Sequence, residues 1–317
     1  MTSENENTTA PRIVVCGSIN MDLVVRCQEI PRPGQTIAAE SATEICGGKG
    51  ANQAVAAAKV GGRVQMIGRV GNDAFAGRLR VNLEKHEVDC RAVLPTDDCT
   101  SGLAVIALER SGQNSIMVVP GANGKVSEAD VRDHRQMIES ADVLMLQLEI
   151  PTPSVIAAIR IAKRCGVRCI LDPAPVAADW TDELLDVDLV CPNETEAAAI
   201  TGIEINTLED AQQAALQLQA RGAKNVAVTM GEKGTVLLAG ESFHHVAPTP
   251  IQPVDTTAAG DAFAGALAVE WAKTSDLLQA ARFASIAGAL AATKLGAQQS
   301  LANRNAIEAI RNQTCKE

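Results

Sequence analysis

The chain has 317 residues, 46% hydrophobic and 21% charged, with a formal charge of -10. That supplies a core for one large domain or two smaller ones and excludes wholesale disorder. The acidic balance argues against nucleic acid as the main partner, because a phosphate backbone needs a basic face; with 2% aromatics and no Tyr, base-stacking platforms are scarce as well. Residues 1–11 are polar, lack an apolar run, and read as a frayed tail rather than a signal peptide. Residues 13–16 are a buried first strand and 23–26 a second. The IPRPG segment (30–34) is a loop, since two prolines cannot donate to a sheet. Gly47-Gly48-Lys49-Gly50 then opens an Ala-rich helix over 51–60, stopped by Gly61-Gly62.

The chain alternates from there. A strand at 64–67 precedes a helix over 74–85. Residues 104–108 and 115–119 form a hairpin around Arg110-Ser111-Gly112-Gln113. Residues 128–138 are helical, 143–148 a strand and 154–164 a helix. Strands at 167–171, 189–190 and 226–229 flank helices over 194–201 and 208–220. Two Ala-rich helices follow, over 260–273 and 277–293. This succession predicts an α/β fold with a mostly parallel central sheet and helices on both faces. The β-rich stretches 20–46 and 100–120 are expected to fold over it as a small β-sheet lid. No linker or repeat divides residues 12–317, so one domain is expected. No run of about 18 uncharged apolar residues predicts a membrane span. The nine cysteines are odd in number and scattered without a C-x-x-C pair. They read as reduced thiols in a cytoplasmic protein.

In such a sheet, ligands bind beyond the carboxyl ends of the strands. Four polar segments fall there. In 254–261 (VDTTAAGD), Asp261 begins a helix whose unpaired amides can seat a phosphoryl group, while its carboxylate can accept a proton. It could equally be an acidic residue that favours the helix dipole. Residues 47–52 (GGKGAN) let a ligand approach the backbone, with Lys49 and Asn52 as donors, or make a helix-start turn. They are not a Walker A loop, and 17–20 is not a dinucleotide glycine pattern. In extended chain Asn20 and Asp22 share a face, an amide and a carboxylate that suit a polyol, or an ordinary polar turn. Glu149 follows a strand as a further acceptor or a surface residue. Asn193 and Glu196 sit three apart, able to hold hydrated Mg²⁺ or to cap a helix.

Together these segments resemble one family. GSINMD, PRPGQT, GGKGANQAVAAAK, GRVGNDAFAG, PGAN, LQLEIP, LDPAP, PNETEA, TMGEKG, VDTTAAGDAFAGALA and GAQQS occur in that order from about residue 13 to 300. The chain is similar to the ribokinases of the PfkB carbohydrate kinase family. The resemblance implies the ribokinase-like three-layer fold and ATP-dependent phosphorylation of D-ribose at O5. Asp261 matches the general base, and the amides of Ala258, Ala259, Gly260 and Asp261 match the anion hole. Asn20, Met21, Asp22, Gly48, Lys49, Gly50, Ala51, Asn52 and Glu149 match the sugar site. Asn193, Thr229, Met230, Gly231, Glu232, Lys233 and Gly234 match the ATP positions, and Ser285 falls near the adenine, where some members carry His. Glu196 matches an acidic residue associated with Mg²⁺ through water. Asp255, Thr257, Ala291, Lys294, Gly296 and Ser300 match a site for a monovalent cation, usually K⁺. A homodimer through the lid is implied, and Gly47-Gly48 is a candidate hinge. The nearest alternative is another family member, a deoxyribokinase or fructokinase, differing near Asn20, Asp22 and Glu149. A reading of another class is a non-catalytic sugar or nucleotide sensor, which the intact Asp261 segment opposes.

Overall fold

Short Val/Ile-rich runs alternate with helices, and the central runs, such as 13–16, 143–146 and 169–171, are buried on both faces. The computed structural model describes residues 10–111 and 113–314. In chain order the elements are β1 (Arg12–Cys16), β2 (Asn20–Cys27), β3 (Ser41–Gly47), α1 (Lys49–Lys59), β4 (Arg63–Val70), α2 (Ala74–Lys85) and β5 (Asp89–Pro95). Then come β6 (Gly102–Glu109), β7 (Asn114–Val119), α3 (Glu128–Asp133), α4 (Arg135–Glu139), β8 (Val143–Leu146), α5 (Thr152–Cys165), β9 (Arg168–Leu171) and β10 (Leu189–Val190). The chain ends with α6 (Glu194–Thr201), α7 (Leu208–Ala220), β11 (Asn225–Thr229), β12 (Thr235–Ala239), β13 (Ser242–Val246), α8 (Ala259–Thr274), α9 (Leu277–Ala292) and α10 (Arg304–Thr314).

Nine strands make one sheet in the order β13-β12-β11-β10-β9-β8-β1-β4-β5. All neighbours are parallel except at the β11-β12-β13 edge, which is antiparallel. Successive side chains of a strand point to opposite faces, which splits the core in two. Ile13 and Val15 join α1, α2, α8, α9 and α10, whereas Val14 and Cys16 join α3 to α7. The result is the three-layer α/β architecture. β1 lies between β4 and β8, so the strand order reverses beside it. The crevice beyond such a reversal is where ligands of open α/β sheets bind.

The second sheet, β3-β2-β6-β7, is the expected lid. β2 pairs with β3 and β6 with β7 antiparallel, while β2 and β6 run parallel. The strand β7 forms one edge and is exposed along its whole length.

Differences from the sequence reading have local causes. The helix expected over 128–138 breaks at His134, whose Nδ1 lies 2.8 Å from the Asp130 carbonyl. The strand expected over 143–148 stops at Leu146; Leu148 N–H turns away to the Ala174 carbonyl. The strands β5, β12 and β13 and the helix α10 were not foreseen. Of the expected tail, residues 1–9 lie outside the described residues, as do Gly112 of the hairpin turn and Cys315. Pro11 is buried, and its carbonyl accepts from Arg63 N–H.

Candidate active site

The carboxyl ends of β1, β8 and β9 release the chain into this crevice, and polar residues follow each at once: Ser18, Gln147, Glu149 and Asp172. α1 enters from the lid side and α8 from the opposite end of the chain. Asp261 sits in the first turn of α8, buried at 5% exposure. Asn52 Nδ2 donates to its Oδ2 at 2.9 Å, and Gln53 Nε2 to its Oδ1 at 3.1 Å. Among the described residues, no backbone carbonyl accepts from Gly260 or Asp261 N–H. α8 also lacks a side-chain N-cap, and Ala258 before it adopts the left-handed region at φ 60°. A Cβ at Gly260 would meet nothing within 4 Å. A helix start with free amides and open space before it has the form of an anion seat.

Opposite that seat lies the expected sugar segment. Asn20 and Asp22 both fall on β2 and are buried. Asn123 Nδ2 donates to Asn20 Oδ1 at 2.6 Å, and Asn123 Oδ1 accepts from Ile19 N–H at 2.9 Å. Burial, then the charges of Glu149 and Asp261, push the Asp22 carboxyl up to about 7. Met21, between them, points into the core. Gly48 caps α1 at φ 90°, and a Cβ there would stand 2.7 Å from Asn20 N. Only glycine tolerates that conformation cheaply. Glu149 accepts from Lys49 N–H at 3.1 Å and from the Ser18 hydroxyl, while Gly50 N–H donates to Ser18 Oγ. Ala51 packs into the core. Asn52 Oδ1 is buried without a partner, although its amide nitrogen is engaged. A buried orphan acceptor beside Asp261 suits a hydroxyl donor.

Lys49 Nζ lies 3.7 Å from Asp172. Burial works against its charge, but Asp172, Asp261, Glu149 and Glu196 together raise its pKa. Asp172 is pushed up to about 7 by burial, partly offset by Lys49 and added to by Asp261, Glu196 and Glu149. Asp172, Gln53 and Gln147 were missed as site residues. All three stand inside quoted motifs (LDPAP, GGKGANQA, LQLEIP); for Asp172 and Gln147 a polar residue directly after an apolar strand run was the available signal, while Gln53, inside α1, carried none.

The expected nucleotide positions form a second cluster. Asn193 bridges to Thr229 in parallel register, and residues 229–234 make a tight turn closed by Met230 N–H to the Gly234 carbonyl. Gly231, Glu232 and Lys233 are its exposed tip. Asn193 and Glu196 form a full capping box for α6, and both Glu196 oxygens accept from Asn193. A metal held by Glu196 would therefore be reached through water rather than directly. Ser285, half-buried, lies one turn before Gly288, which abuts the Ala259 carbonyl at the start of α8.

Asp255 ties two loops together: Oδ1 accepts from Thr257 N–H and Oδ2 from Gly296 N–H, both at 2.9 Å. These bonds hold its carboxyl below the usual range despite partial burial. The Ala291 carbonyl accepts from Lys294 N–H, and Ser300 Oγ donates to Ala297 in its own turn. The side-chain oxygens are thus committed, and a monovalent cation here would rest mainly on backbone carbonyls. A cleft of about 450 Å³ joins Asp255, Thr257 and Gly296 to Asp22 under the lid. Among the described residues no group of three His, Cys, Asp or Glu forms a metal cluster, and no helix is long and apolar enough to cross a membrane.

Residues 10–304 match the profile of the pfkB family of carbohydrate kinases. A bifunctional ribokinase/ribose-5-phosphate isomerase A from Fructilactobacillus sanfranciscensis is 40% identical over 305 residues; these are 95% of this chain but only 56% of that protein, so the chain spans about half its length. A deoxyribokinase from Salmonella typhi is 35% identical over 91% of this chain and 94% of its own. The structure of Arabidopsis thaliana ribokinase complexed with ribose and ATP superposes with a TM-score of 0.89 at 35% identity, covering 95% of this chain and 98% of the other.

Proposed function

We propose, since this chain belongs to the pfkB family of carbohydrate kinases and is a sugar kinase of the ribokinase type, that it transfers the γ-phosphoryl group of ATP to the 5-hydroxyl of D-ribose. The products are D-ribose 5-phosphate and ADP. The observation that carries this reading is the pairing of the Asp261 carboxylate with free amides in the same helical turn, beside the orphan Asn52 Oδ1.

Asp261 takes the proton of the sugar hydroxyl as that oxygen attacks the γ-phosphorus. The amides of Gly260 and Asp261, at the positive end of α8, meet the charge on the transferring oxygens. Asn20, Asp22, Asn52 and Glu149 supply both donors and acceptors, as a polyol requires. Asn193, the 229–234 turn and Ser285 would hold a nucleotide whose phosphates reach towards α8. Four carboxylates around one lysine, with Asp22 beyond them, receive a triphosphate only with added positive charge. Mg²⁺ would supply it, held through water by Glu196. K⁺ would sit at the Asp255 loops and stiffen the approach to α8. Closure of the lid about Gly47-Gly48 would exclude water from the transfer. Buried thiols such as Cys16 and Cys90, whose pKa values burial pushes up to about 12 and 11, are unreactive and suit a reducing cytoplasm.

A 2-deoxyribose acceptor is the second reading, because a deoxyribokinase is almost as similar as the ribokinases. ADP release across ribose, 2-deoxyribose and fructose, with and without K⁺, separates the two. Ribose should give the highest kcat/KM and K⁺ should raise it; no ADP release with any sugar would sink the reading. Asp261→Asn should lower kcat by about 10²–10⁴-fold, the usual size of a lost general base, with ATP binding retained by calorimetry.

A further inference from the structure

The geometry points to Gln53 as a positioning residue, whose side-chain amide is shared between Asp172 and Asp261 and holds the Asp261 carboxylate aimed for the transfer. This rests on the reading of Asp261 as the base. Gln53 is 1% exposed, deep in α1. Its Nε2 donates to Asp172 Oδ2 at 2.8 Å and to Asp261 Oδ1 at 3.1 Å. Its Oε1 accepts from Gln147 Nε2 at 2.6 Å. That third bond fixes the direction of the amide. Flipped, it would set donor against donor at Gln147 and oxygen against two carboxylates.

Asp261 is therefore gripped at both oxygens by consecutive residues of one helix, Asn52 and Gln53. The two buried carboxylates share one amide; burial raises the Asp172 carboxyl, Lys49 lowers it and the charge of Asp261 raises it again. The charged groups facing the pair are Lys49 from α1, Glu149 after β8, Glu196 from α6 and Asp22 from β2. Only Lys49 among them is positive. Gln53 and Asn52 provide the neutral favourable contacts, and of the two only Gln53 reaches both carboxylates, so it orders the pair without competing for the transferring phosphoryl group.

Steady-state kinetics with ribose and ATP over pH 5.5–9 test this on Gln53→Met and Gln147→Leu, with thermal melting as a check on folding. For Gln53→Met we expect kcat to fall about 10- to 100-fold, the size of one lost hydrogen bond to a charged group, with the KM for ATP nearly unchanged. The acid limb of kcat should move to higher pH, which a purely structural role would not cause. Gln147→Leu should move it the same way by less. A folded Gln53→Met with unaltered kcat and acid limb overturns the proposal. If Gln53→Met fails to fold, an unmoved acid limb in Gln147→Leu overturns it alone. Should the unaltered protein phosphorylate no sugar, the functional reading falls too. Should it be active, with Asp261→Asn dead and Gln53→Met normal, only the role of Gln53 falls.

Discussion

Asn20 owes its place to a residue with no side chain. A Cβ on Gly102 would lie 2.1 Å from Asn20 Oδ1 and 2.2 Å from Asn123 Nδ2, inside the hydrogen bond that orients Asn20. Gly102→Ala must therefore push both amides aside. We expect the KM for sugar to rise about tenfold, the scale of one displaced polar contact, with the KM for ATP nearly constant; an unchanged sugar KM would show that Asn20 does not face the acceptor. At this scale the sequence was readable where chemistry and motif coincide. Asn20 opens β2, and Asn52 and Asp261, near the starts of α1 and α8, meet in a hydrogen bond. The Asn193 and Glu196 pair also makes the capping box that the spacing allowed. Gln53 was not readable, because one Gln next to Asn52 in an Ala-rich helix is ordinary. Only the packing of α1 against the end of β9 and the start of α8 shows that it spans two carboxylates.

Elements with local punctuation were legible to the residue. α2, α6 and α7 begin after Asp73, Asn193 and Thr207, each capping its helix with a side-chain oxygen. Those defined by their neighbours were not. β5 carries charged residues, and β13 (SFHHV) is a half-polar edge strand that pairs only with β12. α10 is held by ion pairs of Arg304 and Arg311 with the buried Glu270, beside a face too polar to stand out. The lid edge has a direct consequence. Ile116, Met117, Val118 and Val119 of β7 are 47–64% exposed, a flat apolar edge that native proteins normally cover. A second copy of the chain is the proposed cover, giving the homodimer. Sedimentation should find the unaltered protein at twice the chain mass and Met117→Asp at the chain mass. A monomer at micromolar concentration without the substitution would contradict the dimer.

Over the whole molecule, the same carboxylates that serve the cleft work against the fold. Asp22 and Asp172 each rise from 3.8 to about 7 on folding, chiefly through burial. A carboxyl with a raised folded pKa binds its proton more tightly in the native state, so its stabilising contribution is full below about 4 and lost as pH climbs through 7. Other groups act in other windows. Asp89, drawn down to about 2 mainly by Arg91, and Asp130, lowered against its burial by Arg69, matter below pH 4. His86, depressed by burial and Lys59, loses stability only as pH falls below its ordinary range. The comparison that isolates the cleft is therefore Asp172→Asn against the unaltered protein, both without ligands, by urea unfolding from pH 5 to 8. Asp172→Asn removes the group that must ionise, so its stability relative to the unaltered protein should grow with pH, by on the order of 1–4 kcal/mol between pH 5 and 8. Parallel profiles would mean that Asp172 is already ionised at pH 5. Lys49 would then hold it charged against burial and against Asp261, and the cleft would carry its full negative charge throughout.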